Sequence, residues 1–426
     1  MVVNVFGYIS IQPDWTVDVS TALESTTPGK FWVSAYRLDE ASIHGYIQVT
    51  KSVSADGTTL VNLSALDAAI TAEYVGPRQL RLSSASTGIV SPVLYTGPRS
   101  TVACSQVVRG SGVRSFDVSR YGGLLVAGGD DGVLDVYGTQ SSQHRVSLEG
   151  HIGDITSCLF FPSGQVVLSA ATDLRLRVWS ASDGTNPVTL VGHTAAITDT
   201  AIVGNGKNVL SSGKDGTLRL WHCGSATVLH TFDLSKMPIN AIDLVAGKEE
   251  EEEEEEELPA DEFETAGKVV AVACEDGRTL LVDLCSRETI SVFASEVPVR
   301  AVAYALASGL LFAGRSDGVV DVWTTDAPAA PAYAFKRNNS PISALRLVQR
   351  TEAGPPLLCV GTEDGQLYLV ALEMTNGKVT AAEVVEELVA FDVDPITQIR
   401  AAPSTTPGAS RQSIWASGRT GKVYEF

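Results

Sequence analysis

A seven-residue cassette, Asp215-Gly216-Thr217-Leu218-Arg219-Leu220-Trp221, recurs along this chain and constrains its fold more than any other feature. Asp173-Leu174-Arg175-Leu176-Arg177-Val178-Trp179 lies 42 residues upstream, and Asp317-Gly318-Val319-Val320-Asp321-Val322-Trp323 is a third good copy. A turn residue followed by alternating apolar positions and an aromatic reads as a tight turn entering a strand. A unit this small cannot bury its apolar face alone. Its return at about 40 to 45 residues predicts small sheets stacked as the blades of a β-propeller.

Two rulers count the blades. The Asp-Gly position occurs at Asp131-Gly132, Asp173-Leu174, Asp215-Gly216, Asp276-Gly277, Asp317-Gly318, Asp364-Gly365 and, degenerate, Thr420-Gly421. Six residues after each stands Tyr137, Trp179, Trp221, Val282, Trp323, Val370 or Phe426. Independently, a β-branched residue opens each first strand: Val113, Ile155, Ile197, Ile239, Val299, Ile342 and Ile396. Pro238, Pro298, Pro341 and Pro395 precede four of these, where a missing N–H costs a strand little. Both rulers give seven units, so the expectation is an all-β, seven-bladed propeller over residues 89–426.

Two intervals are long because loops are inserted. Residues 247–267 form an acidic insertion in the fourth unit, and Ala402 to Ser410, rich in Pro, Ser and Thr, interrupts the seventh. The last unit stops at its third strand, Phe426, so an N-terminal segment must supply the fourth. Pro92–Tyr95 is the expected donor. Residues 1–88 read as a small β-rich N-terminal domain. Its expected strands are Gly7–Ile11, Phe31–Ala35, Tyr46–Val49 and Gln79–Leu82, and Ser64–Glu73 is its expected helix, capped by Ser64.

The charge is uneven. Glu249 to Glu257 is an unbroken glutamate run, followed by Asp261, Glu262 and Glu264. Without those twelve acids the net charge of −19 becomes −7, from 38 acidic against 31 basic residues. A modestly acidic fold is a poor nucleic-acid partner, because phosphate binding needs clustered Lys and Arg. No apolar run approaches the roughly 18 residues of a membrane span, and the N-terminus lacks the basic flank of a secretory signal. None of the six cysteines forms a C-x-x-C pair, which fits reduced thiols inside the cell.

His151, Ser169, Asp173 and Trp179 recur as His193, Ser211, Asp215 and Trp221 at the same spacing. A Ser/His/Asp trio invites a hydrolase reading. Its duplication in two blades and the absence of a G-x-S-x-G elbow argue against one. These residues resemble the WD-repeat tetrad, in which the four side chains form one buried hydrogen-bonded network. Ala127, Ala313 and Val360 stand in place of the serine in other units, which are expected to rely on apolar packing. His222 and Cys223 lack a second pair at ligand spacing, so no metal is expected. Gly110-Ser111-Gly112 and Gly122-Gly123 read as turn glycines, and no cofactor site is evident.

In a blade, the turn carrying the Asp and the link to the next blade share one face, here called the top; the acidic insertion leaves from the bottom. The residue before each Asp turn points onto the top: Asp130, Thr172, Lys214, Glu275, Ser316, Glu363 and Arg419. Asp154, Asp199, Glu296, Asp392 and Asp394 lie on or near the neighbouring loops. Together they make a mostly acidic rim, suited to a protein partner that carries Lys and Arg.

Phe160-Phe161-Pro162-Ser163-Gly164-Gln165-Val166-Val167-Leu168-Ser169, Asp199-Thr200-Ala201-Ile202-Val203 and the stretch from Asn208-Val209 to Trp221-His222-Cys223-Gly224 resemble the proteasomal ATPase-associated factor family of WD-repeat proteins. Ile11-Gln12-Pro13-Asp14-Trp15 is similar to that family's start, and Asp394-Pro395 fits its last unit. The strong match runs from about Leu148 to Gly224. The resemblance implies a seven-bladed propeller after an N-terminal domain. It also implies a non-enzymatic chaperone for assembly of the base of the proteasome regulatory particle. Such a chaperone holds the C-terminal domain of one AAA ATPase subunit through an acidic propeller face. A monomer in the cytoplasm and nucleus is expected. The Glu249–Glu257 run departs from the family. It keeps open an escort for histones or ribosomal proteins, and a ubiquitin or substrate adaptor is a further alternative.

Overall fold

The computed structural model describes residues 2–25, 27–54, 59–65, 69–104, 112–246, 261–350, 354–375, 378–403 and 412–426. The Glu249–Glu257 run and most of the insertion in the seventh unit lie outside them. Seven antiparallel sheets stand around a channel. Their inner strands are Ser115–Val118, Ile155–Phe160, Ile197–Val203, Ile239–Ala246, Val299–Ala305, Ile342–Val348 and Gln398–Pro403. Each inner strand touches the next, and the last touches the first, so the ring is closed. The fold is the expected all-β WD propeller.

The seventh blade is closed by Ser100–Ala103, which pairs antiparallel with Lys422–Glu425. Pro92–Tyr95, the expected donor, lies instead in strand Ile89–Thr96. That strand runs parallel to Lys378–Leu388, the outermost strand of blade 6, and antiparallel to Gln79–Ser84. The N-terminal residues thereby extend blade 6 to a seven-stranded sheet. Asn4–Val5 adds a fifth strand to blade 5, parallel to Tyr333–Lys336. The expected helix at Ser64–Glu73 is replaced, in the residues described, by strands Thr59–Ala65 and Thr71–Gly76. The helix is Trp15–Glu24, which buries Trp15, Val19 and Ala22 against a four-stranded sheet. That sheet comprises Tyr8–Ile11, Gly29–Tyr36, Ile43–Val53 and Thr59–Ala65. One apolar core, including Phe31, Leu82, Val93, Phe335 and Val384, runs from this region into blades 5 and 6.

The blades are also stitched by side chains. Gln398 Oε1 accepts Phe116 N–H at 2.8 Å, and Ser115 Oγ accepts Cys158 N–H at 2.9 Å. Asp199 Oδ2 accepts Ile242 N–H at 3.1 Å. One pleat further down, Asp117 and Asp243 take the N–H groups of Phe160 and Tyr304 at 2.7 and 2.9 Å. Each of these side chains reaches into the next blade and satisfies an inner-strand donor there.

Candidate functional site: the top face of the ring

The turn that carries the repeated Asp needs a left-handed residue. Gly132, Gly216, Gly277, Gly318, Gly365 and Gly421 all have φ between 76° and 85°, and in blade 2 Leu174 adopts φ 68°. A Cβ on Gly216 would meet Ser235 O at 2.0 Å, so the turn also packs tightly on its neighbour. This turn brings the Asp beneath the link between blades. Asp173 Oδ2 accepts Ile152 N–H at 3.1 Å and lies 2.9 Å from His151 Nδ1. His151 Nε2 is 2.7 Å from Ser169 Oγ, which accepts Trp179 Nε1–H at 2.7 Å. The third blade repeats the chain through His193, Ser211, Asp215 and Trp221 at 2.7–2.9 Å. Both imidazoles are buried and satisfied on both nitrogens. They hold a loop in place and present no free nucleophile.

Blades 1, 5, 6 and 7 do not depend on apolar packing alone, contrary to the sequence reading. Blade 1 buries Asp135, which takes Ser147 Oγ–H at 2.6 Å and lies 3.0 Å from His144 Nε2. Blade 5 clamps Arg315 between Asp317 and the buried Asp321, at 2.5 and 3.3 Å. Blade 6 surrounds Asp364 with Thr362, Asn338 and Gln366 at 2.5–2.9 Å. In blade 7 the direction is reversed: Asp394, on the link, accepts the N–H groups of Arg419 and Thr420 at 3.0 and 3.1 Å. Each network is differently built, which is why a fixed motif does not find it.

Residues 142–180 and 184–222 match the WD domain, G-beta repeat family. The chain is 35% identical over 317 residues to the probable proteasomal ATPase-associated factor 1 of Dictyostelium discoideum, covering 71% of this chain and 73% of that one. It is 32% identical over 393 residues to proteasomal ATPase-associated factor 1 of Homo sapiens, covering 92% and 93%. The chain belongs to the proteasomal ATPase-associated factor family. It is also 32% identical over 222 residues to the 26S proteasome regulatory subunit RPN14 of Saccharomyces cerevisiae, covering 50% and 53%.

In this member of the proteasomal ATPase-associated factor family, the rim divides into two parts. Asp130 and Asp154 share Arg114, the latter at 3.3 Å, and Glu275 meets Arg300 at 3.5 Å. Two guanidinium groups thus balance two of these three carboxylate charges within the chain. Glu296, Glu363 and Asp392 are exposed and have no ion pair among the described residues. Thr172 and Ser316 are half-buried, while Lys214 and Arg419 are exposed cations. Asp199 is not on the rim. It sits in an inner strand and lines the channel, where it takes the N–H groups of Thr200 and Ile242. Asp394 serves the turn of blade 7. Sequence reasoning missed Arg114 and Arg300, the cations that decide which acids are free. Each opens an inner strand beside a rim acid, a position at which the alternating pattern alone predicts no partner.

Desolvation raises the carboxyls of Asp117, Asp199 and Asp243 above their ordinary value. Arg400, on the adjacent inner strand of blade 7, meets Asp117 at 3.4 Å, and Arg346, on the inner strand of blade 6, meets Asp243 at 3.3 Å. Burial likewise lowers His151 and His193, so they stay neutral at pH 7. Burial pushes Asp215 up as well, but hydrogen bonds from Thr194, Thr217 and His193 outweigh it and hold the carboxyl at about 2. No group of three or more Asp, Glu, His or Cys side chains suited to a metal occurs among the described residues. No helix among them is long and apolar enough to cross a membrane.

Proposed function

We propose that this chain is a non-enzymatic chaperone for assembly of the base of the proteasome regulatory particle. It holds the C-terminal domain of one AAA ATPase subunit on the top face of its propeller, as a monomer in the cytoplasm and nucleus. Occupying that domain sterically delays docking onto the proteolytic core. Membership of the family supports the reading. The observation that carries it is the set of exposed top-face acids, Glu296, Glu363 and Asp392, that no cation of the described chain neutralises. Unpaired surface carboxylates steer a basic partner and add less when salt screens them.

The test is native mass spectrometry of the full chain with each isolated ATPase C-terminal domain, at low and high salt. One domain is expected to form a 1:1 complex that weakens with salt. Glu363→Lys and Asp392→Lys are expected to weaken it more than Asp130→Lys, because Asp130 is already paired with Arg114. Binding indifferent to all three reversals and to salt would sink the top-face reading.

A further inference from the structure

The sheet built from Tyr8–Ile11, Gly29–Tyr36, Ile43–Val53 and Thr59–Ala65 buries one face against the helix and the core, through Ile9, Phe31, Val33, Ile47 and Val49. Its other face is aromatic. Tyr8 stands opposite Tyr36 in register and stacks on it at 5.1 Å between centroids. Trp32 stands opposite Tyr46, which is 47% exposed. At the Tyr46 end, Lys30 Nζ lies 3.9 Å from the ring centroid. Where this face meets blade 6 it forms one wall of a cleft of about 260 Å³. Tyr8, Trp32 and Tyr36 line that wall, and Asp364, Asp392 and Val393 line the opposite side. Val393 is 79% exposed, and Asp392 is exposed and unpaired among the described residues. The same cleft therefore joins the aromatic face to Asp392, one of the free acids of the top rim.

Aromatic walls with a carboxylate at the mouth suit a guanidinium, whose flat face stacks on a ring while its edge donates to oxygen. The molecule already uses that arrangement on the cleft floor. Arg337 lies 3.6 Å over the Tyr368 ring and 5.6 Å from Tyr8, with both ends donating to Glu387. That pair is 3% and 7% exposed, and its charges cancel. Arg337 Nε is buried with no hydrogen-bond partner among the described residues.

We propose that this cleft takes an arginine-bearing segment of the protein partner that the top face binds, making the N-terminal sheet half of the interface. The partner's guanidinium stacks on Trp32 and Tyr36 and bonds Asp392, while Val393 covers its stem. The inference rests on the chaperone reading for the identity of the partner, but not for the chemistry of the cleft.

Two measurements separate the two ideas. First, the full chain is titrated with the peptide acetyl-Ala-Arg-Ala-Arg-Ala-amide and with its citrulline counterpart, following the indole N–H signal of Trp32 by NMR. The arginine peptide is expected to shift that signal saturably. Asp392→Asn, an exposed substitution that leaves the fold intact, is expected to weaken it about tenfold. Equal shifts from the citrulline peptide, or indifference to Asp392→Asn, overturn the proposal. Second, the ATPase domain found by native mass spectrometry is measured against Tyr36→Ala and Asp392→Asn. Loss of affinity in both supports a shared interface, and unchanged affinity in both overturns it. If no ATPase domain binds the parent chain, the chaperone reading fails, and the peptide titration decides the cleft alone.

Discussion

At the scale of single residues, polar side chains in this ring bind backbone. Asp173 joins two loops of blade 2 by accepting Ile152 N–H and meeting His151. Asp173→Ala strands a buried imidazole and a backbone donor, and should lower stability by about 1–3 kcal/mol. Thermal denaturation checks this, and an unchanged midpoint would remove the network from the account of the fold. Asp199 gives a prediction in pH. Its folded carboxyl is raised by desolvation, so the native state binds a proton more tightly than the unfolded chain does. That contribution is fully present below about 3.9, the ordinary Asp value, and is lost as pH rises through the raised one. Asp199→Asn cannot ionise. Its stability relative to the parent should therefore improve as pH rises from about 4 towards neutrality. Parallel curves from urea titrations across that range would contradict the assignment.

At the scale of elements, the closing strand makes the sharpest test. Val102 is fully buried against Trp415 and Val423, whereas Thr101, one residue away, points to solvent. Val102→Asp should cost several kcal/mol by burying a charge, while Thr101→Asp should cost under about 0.5. Urea midpoints that fall together would place the strand in another register. The sequence named the wrong strand for a physical reason. Residues 89–104 contain two strands, Ile89–Thr96 and Ser100–Ala103, parted by Gly97-Pro98. Both alternate, and only tertiary pairing chooses between them. The turns were legible because one left-handed backbone conformation favours glycine, which supplies it in six of the seven, with Leu174 in blade 2. The helix was misplaced because Trp15–Glu24 mixes threonine, valine and serine with its few apolar anchors. The segment near residues 59–76, by contrast, offers a spurious helical face. Of the rim, positions were readable from spacing. Which acids are free depended on Arg114 and Arg300, and that is a matter of distance rather than pattern.

At the scale of the molecule, the described end of the acidic insertion, from Asp261 onward, and the proposed interface lie on opposite faces. The descending end of the insertion is firmly built in. Glu264 caps Asn205 N–H at 2.7 Å, and Glu262, 4% exposed, meets Arg287 at 2.9 Å. Phe263 packs beside His222 and under Lys207, on the bottom of blade 3. These acids, which the sequence reading grouped with the glutamate run, therefore act as an anchor. Deleting Glu249–Glu257 while keeping Asp261–Thr265 should leave both the melting temperature and ATPase-domain affinity unchanged. A loss of affinity measured by native mass spectrometry would move part of the interface to the bottom face.

The ring closes through strands whose ends, Ser100 and Glu425, are 325 residues apart in the chain. A ribosome making this protein releases the N-terminal sheet, then six complete blades, before the seventh can form. At about 5–20 residues per second, the early edge waits many seconds for its partner. Blade 6 receives Ile89–Thr96 only once Lys378–Leu388 is made, so the aromatic cleft and the free acids of the rim come together late. A truncated or stalled product carries most of the blades and lacks the finished surface. Under the proposed function, a copy that stops before Val393 lacks one side of the cleft and offers its partner only part of the interface.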